Sequence, residues 1–437
     1  MNKGKVWIQV RDSFWFLPAI YSIFSLLAVA VISYMDQWVL SAIKNDIPAI
    51  FLTEKAVAQT IYGSMVTAIL TMTTISFSTI MVVLSTYSTQ FSPRTLQDFM
   101  KSRVTQHVLS VFSFGFIFSL VNLFLLGKDK SSELFSPFFT ILVSIVCLAF
   151  FLLFIHHSSR FLKVNNLIGT IRSSTSNLIQ KTFKEKEYHE YCEWSDSDLN
   201  QLEKDAAKVI KAKKSGYVQS IQFKSLIDWA QQNDVVLEAN IFVGEYIQNG
   251  MDLFYYWGKE DDEKVDLDGC LQCVLVGNER VDTQDVEFSI QKLVEIAVRA
   301  ISPSLNDPHT ATNCINRIGS LLIELGSVYE PIRYFADDDE NLRIIVEPLT
   351  FQEYLYKSFY QIRLYGYHDI SVMNSVIEVL YKMAHVHGEK IEKDVWRFGK
   401  YMIKAVDVEK MDELDFNHFN NQVQKLATAC GEEIQLR

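Results

Sequence analysis

Residues 71–94 read TMTTISFSTIMVVLSTYSTQFSPR. The stretch is apolar enough to lie in hydrocarbon, yet it carries hydroxyl groups turn after turn. It overlaps a run from Ile61 to Leu84, which has the ~20 apolar residues needed to cross a ~30 Å hydrocarbon core. Comparable runs extend from Phe14 to Tyr34, His107 to Gly127 and Pro137 to Ile155, and none of them contains an acid, a lysine or an arginine. The first run, preceded by basic residues, has the look of a signal peptide. It is long, however, and "SYMDQW" follows it with no small-residue cleavage site, so it is expected to be retained.

Lys and Arg resist translocation, and their placement sets orientation. Lys3, Lys5 and Arg11 precede the first run, Arg94, Lys101 and Arg103 separate the second from the third, and Arg160 and Lys163 follow the fourth. The other loops hold Lys44, Lys55, Lys128 and Lys130 mixed with acids. Both termini are therefore expected in the cytoplasm. The fold expected is an α-helical polytopic membrane domain of four transmembrane helices plus a cytoplasmic α+β region, which has a small strand-rich module and a helical C-terminal part. The boundaries read as 1–160 for the transmembrane domain, 161–214 for a helical connector, 215–280 for the mixed α/β module and 281–437 for the helical domain.

The connector rests on apolar residues at helical spacing in "LNQLEKDAAKVI". "SGYVQSI", "VVLEANIFV", "EYIQNGMDLFYYW" and "CLQCVLV" are short, β-branched and aromatic, and glycines punctuate them, which suits strands in a small, barrel-like module. "FKSLIDWAQQN" has helical spacing. From Asp285 the pattern is helical again. "DVEFSIQKLVEIAVRAI" is amphipathic and is stopped by "SPSLNDP", with Asp307 or Asn306 as N-cap of a following helix and Pro308 as its first residue. Further helices are read near 351–364, 371–388, 391–405 and 415–431.

The net charge of −11, carried in stretches such as "KEDDEKVDLD" and "ADDDE", disfavours nucleic acid as a partner. Cys270 and Cys273 form a lone Cys-x-x-Cys with no second pair or nearby His, and are read as two small buried side chains of a strand. No cofactor, no metal and no catalytic set is expected. Ser302, Asp307 and His309 supply the residue types of a hydrolase triad, but within one turn and without a nucleophile elbow.

"SMVTAILTMTTISFSTIMVVLSTYSTQFSPRTLQDFM", "SGYVQSI" with "VGEYIQNG", and "RVDTQDVEFSIQKLVEIAVRAISPSLNDPHTA" together resemble the bacterial predicted membrane proteins catalogued as domain of unknown function 2254. The resemblance covers almost the whole chain and implies a multi-pass protein of the bacterial inner membrane. It carries over no catalytic or ligand residue. Ser289 departs from the family pattern, which has Gly there.

Two constellations remain. On a helix, Thr67, Thr71, Thr74, Ser78, Ser85 and Thr89 share one stripe. Such hydroxyls pack helices together or line a watery path, and both readings stay open. The absence of intramembrane charge argues against a proton relay but leaves a passive pore possible. Arg94, His156 and Arg160 stand at the cytoplasmic ends, as interface anchors or as a vestibule. The second constellation is Arg280, Gln284, Asp285, Gln291, Glu295, Arg299, Ser302, Asn306 and Asp307. It is read as a structural network with a solvated helix face, in which Arg299 pairs with Asp307 or Asp285. The function expected is an oligomeric passive channel for an ion or small solute; the alternative is a membrane-anchored signalling or scaffold protein. The lipid bilayer and further copies of the chain are the expected partners.

Overall fold

The computed structural model describes residues 15–36, 48, 52–90, 103–126, 133–161, 163–183, 189–190, 207–258 and 265–436. Two compact units result, Met1–Leu167 and Ile168–Arg437.

In the first unit each apolar run becomes a helix: α1 (Phe16–Tyr34), α2 (Lys55–Gln90), α3 (Arg103–Leu126) and α4 (Ser136–Phe161). All four are long and apolar enough to cross a membrane. Half of the most apolar window of α3 is buried, against about a fifth in the others, so α3 is the packing centre. A Cβ on Gly115 of α3 would meet Cys147 Sγ at 2.7 Å and Ile69 Cδ1 at 3.0 Å, so glycine is what lets α2, α3 and α4 converge. Outside this contact the helices present Phe24, Leu27, Leu70, Met81, Phe124 and Leu152, a surface that suits lipid rather than water. A two-residue ladder joins β1 (Thr53–Glu54) to β2 (Glu133–Leu134). Beside it the buried Asp36 accepts hydrogen bonds from the N–H groups of Phe135 (2.8 Å) and Ser136 (3.3 Å), capping α4.

The second unit takes in α5 (Val164–Phe183) from Ile168 onward, and Ile168, Ile171, Thr175 and Ile179 are buried at helical spacing. The expected helical connector ends there. The close of "LNQLEKDAAKVI" is strand β4 (Lys208–Lys211), and the first part of that stretch lies outside the described residues. The module is therefore wider than 215–280. A six-stranded sheet has the order β3-β10-β11-β6-β8-β4, from β3 (His189–Glu190), β10 (Tyr334–Ala336), β11 (Leu342–Ile345), β6 (Val235–Ala239), β8 (Asp252–Gly258) and β4. Only the β11–β6 pair is parallel among the described strands, with Ile344 opposite Leu237. A three-stranded sheet runs β7 (Tyr246–Ile247), β5 (Gly216–Ile221), β9 (Val274–Gly277). These are two open sheets rather than a barrel. Both close on one core of Val218, Leu237, Phe254, Val274 and Ile344, together with Leu226 and Trp229 of α6 (Phe223–Gln232).

Two further expectations fail here. β10 and β11 arise in the region read as wholly helical. Cys270 sits in a short helix, α7 (Leu267–Gln272), with Cys273 at its C-cap; both thiols are buried, as expected, but not on a strand. Burial pushes the Cys270 and Cys273 thiols up, so they stay protonated. The helical remainder comprises α8 (Val286–Ala300), α9 (Pro308–Val328), α10 (Phe351–Gly366), α11 (Ile370–His387), α12 (Glu392–Ile403) and α13 (Glu413–Ala429).

Candidate functional site

On α2 the bundle-facing side carries Tyr62, Met65, Ile69, Ser76, Ile80 and Val83, all buried. Thr67, Thr71, Thr74, Ser78 and Ser85 are exposed. At ~100° per residue the two sets fall on opposite sides of the helix, so the stripe turns away from the other helices of its own chain. Thr67, Thr71 and Thr74 donate from Oγ1 to the carbonyls of Gly63 (3.0 Å), Thr67 (2.9 Å) and Leu70 (2.9 Å). This back-bonding satisfies the hydroxyl hydrogen inside the helix. Thr89 lies on α2 beyond the residues whose side chains are described, and Arg94 lies outside the described residues altogether. His156 and Arg160 are exposed in the last two turns of α4, and the Arg160 carbonyl accepts from Asn166 Nδ2 at 2.8 Å.

The second constellation divides between the two ends of α8. At the N-terminus Asp285 is the N-cap, accepting from the Phe288 N–H at 2.8 Å. Arg280 grips the same carboxylate in bidentate fashion, Nε to Oδ2 at 2.6 Å and Nη2 to Oδ1 at 3.0 Å, and also reaches Glu287. Burial works against the Arg280 charge, but the hydrogen bonds and charges of Asp285 and Glu287 outweigh it and raise its pKa. Gly244, at φ +93°, lies directly on this pair; a Cβ there would come within 2.1 Å of Asp285 Oδ2. Gln284 Oε1 accepts from the Ile221 N–H at 3.0 Å, so the end of β5 is tied to the same corner. Phe288 lies under the Arg280 guanidinium, 5.0 Å from ring centroid to Cζ. Lys357 of α10 is 3.8 Å from Glu287. The network thus joins the strand-bearing part to the helical part.

Asp285 cannot serve Arg299, because ~14 residues at ~1.5 Å rise separate the two ends of α8. Nor is this face of α8 simply solvated. Gln291, Glu295 and Arg299 are half-buried, Gln291 donates to Gln361 Oε1 at 3.2 Å, and Lys292 beside them is buried and paired with Asp282 at 2.7 Å. At the C-terminal corner Ser302 Oγ donates to the Arg299 carbonyl at 2.6 Å, and Asn306 takes a left-handed φ of +49°. Asp307 caps α9, accepting from Thr310 N (3.1 Å) and Oγ1 (2.6 Å), with Pro308 as first helical residue. Those Thr310 bonds hold the Asp307 carboxyl below the usual carboxylate range.

Among the described residues no group of three or more His, Cys, Asp or Glu is arranged to hold a metal. Glu287, Lys357 and Gln361 complete the network without having been singled out in the sequence, and Gly244 was read only as punctuation between strands. A hint existed only for Glu287, an acid in the first turn of a helix.

Relatives reinforce the sequence resemblance. Uncharacterized proteins of Mycobacterium tuberculosis and of Mycobacterium bovis are each 26% identical over 412 residues, covering 88% of this chain and 74% of their own length. No solved structure matches the chain. The profile of the DUF2254 family, described as predicted membrane protein, matches residues 11–382, which span both the hydroxyl-bearing helix and the Arg280 network, and the chain belongs to that family.

Proposed function

We propose that the protein is an oligomeric, passive channel for an ion or small solute in a bacterial inner membrane. Its α2 helices meet around the path, both termini are cytoplasmic and the second unit acts as assembly and gating region. The observation that carries this reading is the outward hydroxyl stripe on α2, opposite the side that packs within the chain. Polar groups on an otherwise apolar exterior find water or another copy more readily than lipid tails. Four helices enclose no pore by themselves, so the path needs several subunits. Within the second unit α5 is held by Glu324 of α9, whose carboxylate accepts from Ser176 Oγ at 2.7 Å and Gln180 Nε2 at 2.8 Å.

The test is reconstitution of purified protein into planar bilayers under a salt gradient, with Thr74→Leu as control. Discrete currents that the control abolishes support the channel. Silence from a folded, homogeneous oligomer overturns it in favour of a membrane-anchored scaffold, a non-enzymatic reading that the exposed Tyr356 and Leu364, about 80° apart on α10, favour as a docking face.

A further inference from the structure

A cavity of about 330 Å³ opens in the second unit, between the β4–β5 connection, the start of β8, α7 and β9. Its inner wall is apolar: Ile247, Leu253 and Val274 are buried there, with Leu271 and Val276 half-buried towards the mouth. Charge is confined to the rim, where Lys213, Lys214 and Asp268 stand. Lys213 pairs with Asp268 across the mouth, which neutralises that carboxylate. Lys214 is held differently. Its ammonium donates to the carbonyl of Val276, another lining residue, at 2.9 Å, which leaves two N–H groups to spare and a net positive charge. The rim is also braced before anything binds, since Ser215 Oγ accepts from the Asn249 N–H at 2.9 Å and pairs with Gln248 Oε1 at 3.1 Å.

We infer that this cavity is a binding site for a small monoanion with an apolar body, such as an aromatic or medium-chain carboxylate. The body would fill the apolar interior and the anionic group would meet Lys214. The volume lies at the small end of the ~300–1,000 Å³ typical of ligand sites, which admits a single ring or a short chain and excludes a two-chain lipid. An interior without buried polar side chains rewards no hydrogen-bonding group on the body, and the surplus cation at the rim selects against cationic ligands. The inference does not depend on conduction by the membrane unit.

The full chain in lipid nanodiscs is titrated with trifluoromethyl-phenylacetate and with its neutral amide, observed by fluorine NMR, with empty nanodiscs as the blank. The carboxylate is expected to bind about tenfold more tightly than the amide. Lys214→Gln should bring the carboxylate down to the level of the amide and leave the amide unchanged. Leu271→Trp fills the cavity and should abolish binding of both; Val276→Trp serves the same purpose from the opposite wall if the first variant unfolds. Equal affinity for the two probes, binding that survives a filled cavity, or no binding above the blank at millimolar probe would each overturn the assignment.

Discussion

Gly244 and the Arg280–Asp285 pair occupy the same space so completely that no side chain fits between them. Gly244→Ala must therefore push the ends of the Asp285 and Arg280 side chains aside and hold a side chain at φ +93°, at a cost of about 1–3 kcal/mol. A denaturant or thermal melt of the purified protein checks this, with Asn249→Ala on the neighbouring exposed turn as a near-silent comparison. Asp337, buried at the β10–β11 hairpin, offers a pH test. It accepts from Arg343 Nε at 2.6 Å and from the N–H groups of Asn341 (2.9 Å) and Asp339 (3.0 Å). Burial pushes its carboxyl up, but the Arg343 and Asn341 hydrogen bonds outweigh that and leave it below the usual range. Its contribution is then complete above the unfolded value of about 3.9 and is lost as pH falls through the lower folded value. Asp337→Asn should cost about 1–3 kcal/mol at neutral pH, and the deficit should vanish in acid; stability measured from pH 7 downwards decides it. Arg280, Gln284 and Asp285 were legible in the sequence because they lie within one short stretch at a helix start. Gly244 and Ile221 were not, since only tertiary folding brings them to that corner.

At the scale of elements, the helices and the β-branched and aromatic strands β5 to β9 announced themselves, while β4, β10 and β11 did not. α2 and α8 have apolar residues recurring at helical spacing over several turns, and the Asp307–Pro308 start of α9 is a local signal needing no partner. β10 and β11 have three and four residues, flank an acidic turn, and draw their stability from β6 about a hundred positions earlier, so no local window could reveal them. The Cys-x-x-Cys deceived for a related reason: a one-and-a-half-turn helix buries small residues as a strand does. For α2 the sidedness is directly testable. In a cysteine-free background, Thr74→Cys should react with a water-soluble thiol reagent in membranes, while Ile69→Cys, fully buried, stays protected. Protection of both would mean that the hydroxyl side meets lipid or a dry contact between helices.

For the whole molecule, the division at Leu167/Ile168 separates an apolar helical unit from an α+β unit with its own core. The fall in hydrophobicity after Arg160 lies seven residues before that division. Subunit number was not readable, because an exposed stripe contains no count of the copies that the proposed channel would need. The back-bonded threonines have one more consequence. Each spends its only hydrogen on a carbonyl of its own helix, so what Thr67, Thr71 and Thr74 turn outward is lone pairs and no donor. A corridor lined in this way is a string of weak bases: it can strip water from a cation, but it has little to offer chloride. If the proposed channel conducts, the reversal potential in a potassium chloride gradient should therefore lie on the potassium side of zero, and a value on the chloride side would mean that the permeating species is coordinated elsewhere.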